Sequence, residues 1–237
     1  MTDNKNKNYE YLIEEREVLN AKEFANEVFN EVNRILQSNN WKIEINKKNL
    51  LVESKPICRE LSSSNILLSR AKSIVEGDAN KIFKFLISSE GYAIIDPACN
   101  PKEHKKPVLE TYPTEDNMRL DAALASTKLP FLGKIDFVVF NAVDYDNLTF
   151  ASKSILHDKV KGGSKYSKNF IPNSTTTRGL NTFAIKLKPL ENNKSEVEII
   201  NYIDLCSKVS AKFTNVINIK YFFKLLLHRL NKKIKKL

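Results

Sequence analysis

Apolar residues recur at helical spacing soon after a polar opening stretch: Val18, Ala21, Ala25, Val28, Val32 and Ile35, widened by Leu19, Phe24, Phe29 and Leu36. That period predicts a long amphipathic first helix ending near Ser38-Asn39-Asn40. The period then changes to two. Trp41, Ile43 and Ile45 alternate with polar residues, 50–53 reads as the return strand after Lys47-Lys48-Asn49, and 66–75 as a third strand. Asp78, following Gly77, suits an N-cap, and Ile82, Phe83, Phe85 and Leu86 supply the buried side of a short helix. Pro97, Pro101 and Pro107 make the next stretch a connection.

Six further strands are predicted over 108–112, 118–125, 135–143, 148–156, 180–190 and 197–205. The clearest alternation is FAIKLK, where Phe183, Ile185 and Leu187 oppose Ala184, Lys186 and Lys188. The chain closes on a long helix. Strands adjacent in sequence and joined by short loops imply a largely antiparallel, curved sheet with helices held against it, an α+β architecture. The concave face of such a sheet needs a cover, and the last helix is available for it.

The closing segment INIKYFFKLLLHRLNKKIKKL admits three readings: a membrane-seeking peptide, a nucleic-acid arm, or the lid of a buried pocket. Charge bears on the choice. The 237 residues carry a formal net charge of +10. From Leu205 onward there is no Asp or Glu, while Lys208, Lys212, Lys220, Lys224, Arg229, Lys232, Lys233, Lys235 and Lys236 supply nine positive charges. Removing nine from +10 leaves about +1 for the first 204 residues, so the basic character belongs to the last element and the loop before it. On a wheel of ~100° per residue, Val216, Ile219, Phe222, Phe223, Leu226 and Leu230 share one apolar face. Lys220, Lys224, His228 and Lys232 lie opposite, with Ile217, Tyr221 and Leu225 among them.

A hydrophobic content of 42% is enough for one core of ordinary size. Three widely spaced cysteines, Cys58, Cys99 and Cys206, form neither a disulfide framework nor a zinc ribbon, and a reducing compartment is the expectation. The longest apolar runs are only three to five residues, too short to span a bilayer, and MTDNKNKNYE has no apolar core of a signal peptide. His104, His157 and His228 lack metal-ligand spacing, and no H-E-x-x-H, G-x-S-x-G, P-loop or G-x-G-x-x-G occurs. Neither metal, cofactor nor catalytic residue is expected.

LGKIDFVVF, SKSILHD, TRGLNTFAIKLKPL and EVEIINYIDLCSKVS precede the last helix, and in this order the second half resembles the steroidogenic acute regulatory protein-related lipid transfer (START) domain. Asp136-Phe137-Val138, Arg178, Pro189-Leu190 and Ile203-Asp204-Leu205 match its pattern, and VEGDANKIFKFLISSEGYAIID fits the helix before its Trp-Asp pair. Departures are Ile135 for the family's Arg, Ile95 for Trp before Asp96, and Ser207 and Ser210 for Gly and Pro.

The resemblance implies a helix-grip fold in which a curved antiparallel sheet grips the C-terminal helix over a lipid tunnel. Residues 1–14 are then a flexible leader and 15–237 a START-like domain. The function implied is carriage of one lipid between membranes, a phospholipid such as phosphatidylcholine first and a sterol or ceramide second. Asp136, Val138, Phe140, Arg178, Ile219, Phe222, Phe223 and Leu226 are the lipid-binding candidates, with Arg178 as phosphate ligand. Tyr221, Leu225, Lys220, Lys224, Lys232 and Lys233 are the candidates for transient contact with an anionic membrane. Lys159, Lys161, Lys165 and Lys168 form a second basic cluster, and Gly162-Gly163 a candidate mobile partner of the lid. A cytoplasmic monomer is expected, with nucleic-acid binding the alternative from a different class.

Overall fold

A computed structural model describes residues 10–58, 65–88, 90–91, 108–114, 117–129, 133–164, 176–206 and 210–234. Helix α1 (Ala21–Gln37) begins where Asn20 turns its side-chain oxygen onto the N–H groups of Lys22 and Glu23. Helix α2 (Ala79–Leu86) begins where Asp78 accepts from the Lys81 N–H, as the sequence predicts. The strands are β1 (Glu10–Tyr11), β2 (Lys42–Lys47), β3 (Leu50–Cys58), β4 (Leu67–Glu76), β5 (Val108–Tyr112) and β6 (Met118–Leu129). They continue with β7 (Gly133–Asp144), β8 (Thr149–Ser154), β9 (Thr177–Arg178), β10 (Leu180–Leu190) and β11 (Lys194–Asp204). The two-residue strands β1 and β9 are too short to show a period in sequence.

One sheet joins them in the order β1-β3-β4-β11-β10-β8-β7-β6-β5, with β2 on β3 and β9 on β7. Every pairing is antiparallel except β1 with β3 and β9 with β7. Val52, Ala71, Ile199, Ile185, Phe150 and Val143 are Cα partners in succession, an unbroken apolar row across six strands. On this face, called inner below, lie Ala79, Ile82, Phe83 and Leu86 of α2 and the apolar side of the C-terminal helix. Gly77, just before α2, has φ +136°, which L side chains rarely adopt, and a Cβ there would stand a tight 3.1 Å from side-chain atoms of Ile82 and Ile234. Phe24, Ala25, Val28, Val32 and Ile35 of α1 pack on the opposite, outer face against Val138, Phe140, Ala142, Ala151, Ala184 and Ile200.

The first fourteen residues are not all outside the domain. Glu10–Tyr11 pairs with Ile57 and Cys58, and the buried Glu10 carboxylate receives Arg34 and, at 3.1 Å, Lys55. Residues 1–9 lie outside the described residues.

The apolar stripe of α1 contains one acid, Glu31, whose carboxylate meets the Lys153 ammonium of β8 at 2.9 Å. Both are buried, Thr182 Oγ1 accepts from the same ammonium at 2.9 Å, and Glu31 also accepts from the Ile13 N–H at 2.5 Å. Such a pair orients two elements more than it stabilises them, because desolvation offsets much of the attraction. Lys153→Met alone is expected to destabilise the protein by about 3–5 kcal/mol, and Lys153→Met with Glu31→Leu to recover most of that, read from denaturant unfolding.

Glu198 sits between Lys72, at 2.5 Å, and Lys188, at 2.8 Å. Burial pulls its carboxyl upward, but hydrogen bonds from the two lysines outweigh that and leave its pKa below the usual value. The stability this contributes is present above the carboxyl's unfolded pKa and is lost as the pH falls through the depressed folded value. Glu198→Gln is therefore expected to be less stable than the parent at neutral pH, with the gap closing on acidification, as thermal melts across pH 2–7 would show.

Candidate functional site

The C-terminal helix runs unbroken through α3 (Ala211–Val216), a π-helical turn (Ile217–Phe222) and α4 (Phe223–Ile234). Ser210 caps its start by accepting from the Phe213 N–H. Two asparagines fasten the first half. Asn215 accepts the Leu67 N–H at 2.8 Å and donates to the Asn65 carbonyl at 2.9 Å, a two-point clamp on the start of β4. Asn218 donates to the Ile203 carbonyl at 3.1 Å. Rings carry the contact inward: Phe222 meets Phe183 edge-on at 6.1 Å, and Phe183 lies 6.1 Å from Phe150.

One residue pair further along each strand from the apolar row, the inner face turns polar. Ser54, Ser69, Asn201, Phe183, Ser152, Asn141 and Asp121 are successive Cα partners, so their side chains share the inner face. Only Phe183 interrupts this polar row. Beside it, between the start of the helix and the β2 and β4 strands, opens a cleft of about 420 Å³ lined by Glu44, Leu67, Asn215, Val216, Ile219 and Lys220.

The back of the same helix is apolar too. Phe213, Ile217, Tyr221 and Leu225 are exposed, Tyr221 at 66%, and they stand at four-residue intervals. In an α-helix such a stripe drifts around the axis. The wider π turn advances less per residue and brings Tyr221 back into line with Ile217. Exposed Lys212, Lys220 and Lys224 flank the stripe.

The predicted residues divide between the two faces. Ile219, Phe222, Phe223 and Leu226 are buried against the inner face, joined by Leu227 and Leu230. Tyr221, Leu225, Lys220, Lys224, Lys232 and Lys233 are all exposed, as is His228. Val138 and Phe140, however, lie on the outer face, where the Phe140 ring packs edge-on against Phe24 of α1 at 5.1 Å.

Asp136 follows the same alternation, bonded to Ser126 Oγ at 2.5 Å, and Arg178 is its parallel partner. These four are therefore not brought together with the helix residues. Strand β7 is apolar on both faces because both are covered, so its sequence does not tell inner from outer. Burial lowers the Arg178 pKa, against the opposing pull of Asp136 and Glu15, the latter in the segment leading to α1. Next to it, Gly179 lets the Phe137 ring lie across the backbone, where a Cβ would stand 2.3 Å from a ring carbon.

His157 is held from both sides, with Nδ1 3.2 Å from the Lys159 backbone nitrogen and 3.0 Å from Asp158 Oδ1, and Nε2 3.2 Å from Glu110. Nearby Tyr112 is pushed up to about 12, by burial first and Glu110 second. Lys159 and Lys161 are exposed, with Lys159 Nζ on the Leu109 carbonyl at 2.7 Å. The Gly162-Gly163 loop ends at Ser164, whose N–H and hydroxyl both go to Glu15, so it is tied toward α1. Lys165, Lys168, His104, Cys99, Ile95, Asp96 and Ser207 lie outside the described residues. Among the described residues, no group of three or more His, Cys, Asp or Glu is placed to hold a metal ion. Nor, among them, is any helix long and apolar enough to cross a membrane.

A large curved sheet with an N-terminal helix on its outer face and a long C-terminal helix gripped on its inner face is the helix-grip fold of START domains. Human StAR-related lipid transfer protein 5 shares it with a TM-score of 0.59 and 17% identity, over 91% of this chain and 97% of that one. Human STARD10 matches with a TM-score of 0.58 and 11% identity, over 88% and 78%. The lipid transfer and protein localization domain of human StarD13 (DLC2) matches with a TM-score of 0.51 and 15% identity, over 88% and 95%. No protein-family model matches the sequence, and no curated protein is significantly similar to it.

The Asn215 clamp generates an expectation for the helix. Asn215→Ala removes both bonds to β4, and amide exchange over 211–217 should quicken by about tenfold or more while exchange in β10 and β11 stays unchanged.

Proposed function

We propose that the protein binds one lipid between the inner face of the sheet and the C-terminal helix and carries it between membranes. The helix is then both lid and membrane contact. The observation that carries this reading is the two-sided character of that helix. Its inner side, Ile219, Phe222, Phe223 and Leu226, covers a face that is part apolar and part polar, as a lipid is. Its outer side presents Phe213, Ile217, Tyr221 and Leu225 between lysines, an unfavourable surface in water but a suitable one at the headgroup boundary of an anionic bilayer. Each lysine near that surface contributes about 1 kcal/mol. Enclosing an acyl chain removes apolar area from water at ~25 cal/mol per Å², which is what makes a carrier effective. The START fold supports this reading, since two of the neighbours above, StAR-related lipid transfer protein 5 and the StarD13 domain, are described by lipid transfer.

The expectation of a phosphate ligand in Arg178 has less support, because Arg178 follows the outer-face alternation with Asp136. Nucleic-acid binding would use the same lysines but gives no role to the apolar stripe between them.

Tyr221→Asp with Leu225→Asp is expected to lower binding to anionic vesicles, and lipid transfer between them, by about tenfold or more. Native mass spectrometry of the same variant should show the lipid adduct of the parent. A parent that carries no lipid and moves none between vesicles overturns the proposal. So does RNA binding that collapses between about 50 and 200 mM salt in place of lipid transfer.

A further inference from the structure

The polar row contains amide groups left without partners among the described residues. Asn201 is fully buried, and neither its Oδ1 nor its Nδ2 has a hydrogen-bond partner. Asn141, 7% exposed, donates through Nδ2 to Asp121 at 2.7 Å, yet its Oδ1 has no partner. Buried side-chain amides are almost always bonded, because an unmet donor or acceptor away from water is costly. Two such asparagines on one face and in one row call for a ligand. Ser152, the cross-strand neighbour of Asn141, accepts from Asn181 Nδ2 at 3.3 Å and keeps its own proton to donate.

We infer that Asn201 on one side of the Phe183 ring, and Ser152 with Asn141 on the other, hold the polar end of the lipid, which is an uncharged hydroxyl or amide and not a phosphate. This rests on the lipid-carrier reading above and adds the ligand's chemistry.

The charge of the row decides between the two classes. From Ser69 through Asn201, Phe183 and Ser152 to Asn141 there is no charged side chain. The charge at the row's end, Asp121, is negative, and Arg119 pairs with it at 3.6 Å from an exposed position. A phosphodiester brings a full negative charge and only acceptors. Buried there it would meet no cation of the row among the described residues, and it could use the Asn201 Nδ2 but neither Oδ1. A hydroxyl or secondary amide both donates and accepts, and so matches Asn201, which offers one of each. Asn201 and Ser152 are two strands apart, roughly 10 Å, with a ring between them. A ligand with polar groups at both stations would lay an apolar segment across Phe183.

The test uses vesicles doped with one fluorescent lipid at a time: a ceramide, a diacylglycerol, a sterol or phosphatidylcholine. Transfer by the parent should favour one of the first three. Asn201→Leu and Asn141→Leu, each close in size, should each cut that transfer by about tenfold or more. Asn201→Leu should leave the melting temperature of the lipid-free protein unchanged or raised, since an unmet amide has been replaced by an apolar group, while Asn141→Leu, which also gives up the bond to Asp121, is judged by its lipid preference. Loss of melting temperature with no change in lipid preference would make the amides structural and overturn the inference. Preferred transfer of phosphatidylcholine, undiminished in both variants, would overturn it and leave lipid carriage standing. No transfer of any of the four by the parent would overturn both. If Asn201→Leu fails to fold, Asn141→Leu decides alone.

Discussion

Six side chains in one line across six strands, Val52, Ala71, Ile199, Ile185, Phe150 and Val143, cannot face water, and the helices take their places from that requirement. A sheet this wide has two faces to cover, and the chain brings a helix from each end to do so. The outer face receives α1, fastened by a buried ion pair. The inner face receives α2 and the C-terminal helix, fastened by asparagine side chains to strand backbones. The two attachments differ in kind. An ion pair in a dry interface fixes registry, whereas amides on carbonyls and N–H groups substitute for sheet pairing where a helix meets a strand end.

The inner face is not uniform, and the change from apolar to polar falls between neighbouring rows. Packing a helix against the apolar row is favourable on its own. Covering the polar row is not, since both amide groups of Asn201 and the Oδ1 of Asn141 give up water without gaining partners. A protein under selection for stability alone would replace them with leucine or valine. Their presence under the cover places the cost of an unmet amide where a ligand group would relieve it, an arrangement usual for sites that sacrifice stability to function.

Much of this was legible in the sequence. Period-two runs located nine strands, Asp78 marked the start of α2, and the wheel separated Phe222 and Phe223 from Tyr221 and Leu225. What could not be read follows from geometry that only pairing creates. Val138 and Phe140, lipid-binding candidates by sequence, lie on the outer face with α1: both sides of β7 are apolar, and alternation tells faces apart only when one of them is wet. Glu31 does stand out as the acid on an apolar stripe, a usable signal, but its partner Lys153 lies 122 residues away in a strand whose sequence, SKS, looks exposed. The polar row was invisible for the same reason: Asn201, Ser152, Asn141 and Ser69 belong to four strands, and only the register sets them side by side.

The two ends of the C-terminal helix are held differently from its middle. Asn215 ties its beginning to β4, while Ile234 near its end settles over Gly77, where the absence of a side chain makes the seat. Between these supports lies the π turn, whose bonding is the least regular in the helix. A beam supported at both ends does not swing aside like a hinged door. If it bows, it does so at the π turn by giving up the Asn218 bond to the Ile203 carbonyl, and a passage to the inner face would open along the flank of the helix, beside Ile219 and Lys220, with both ends still in place.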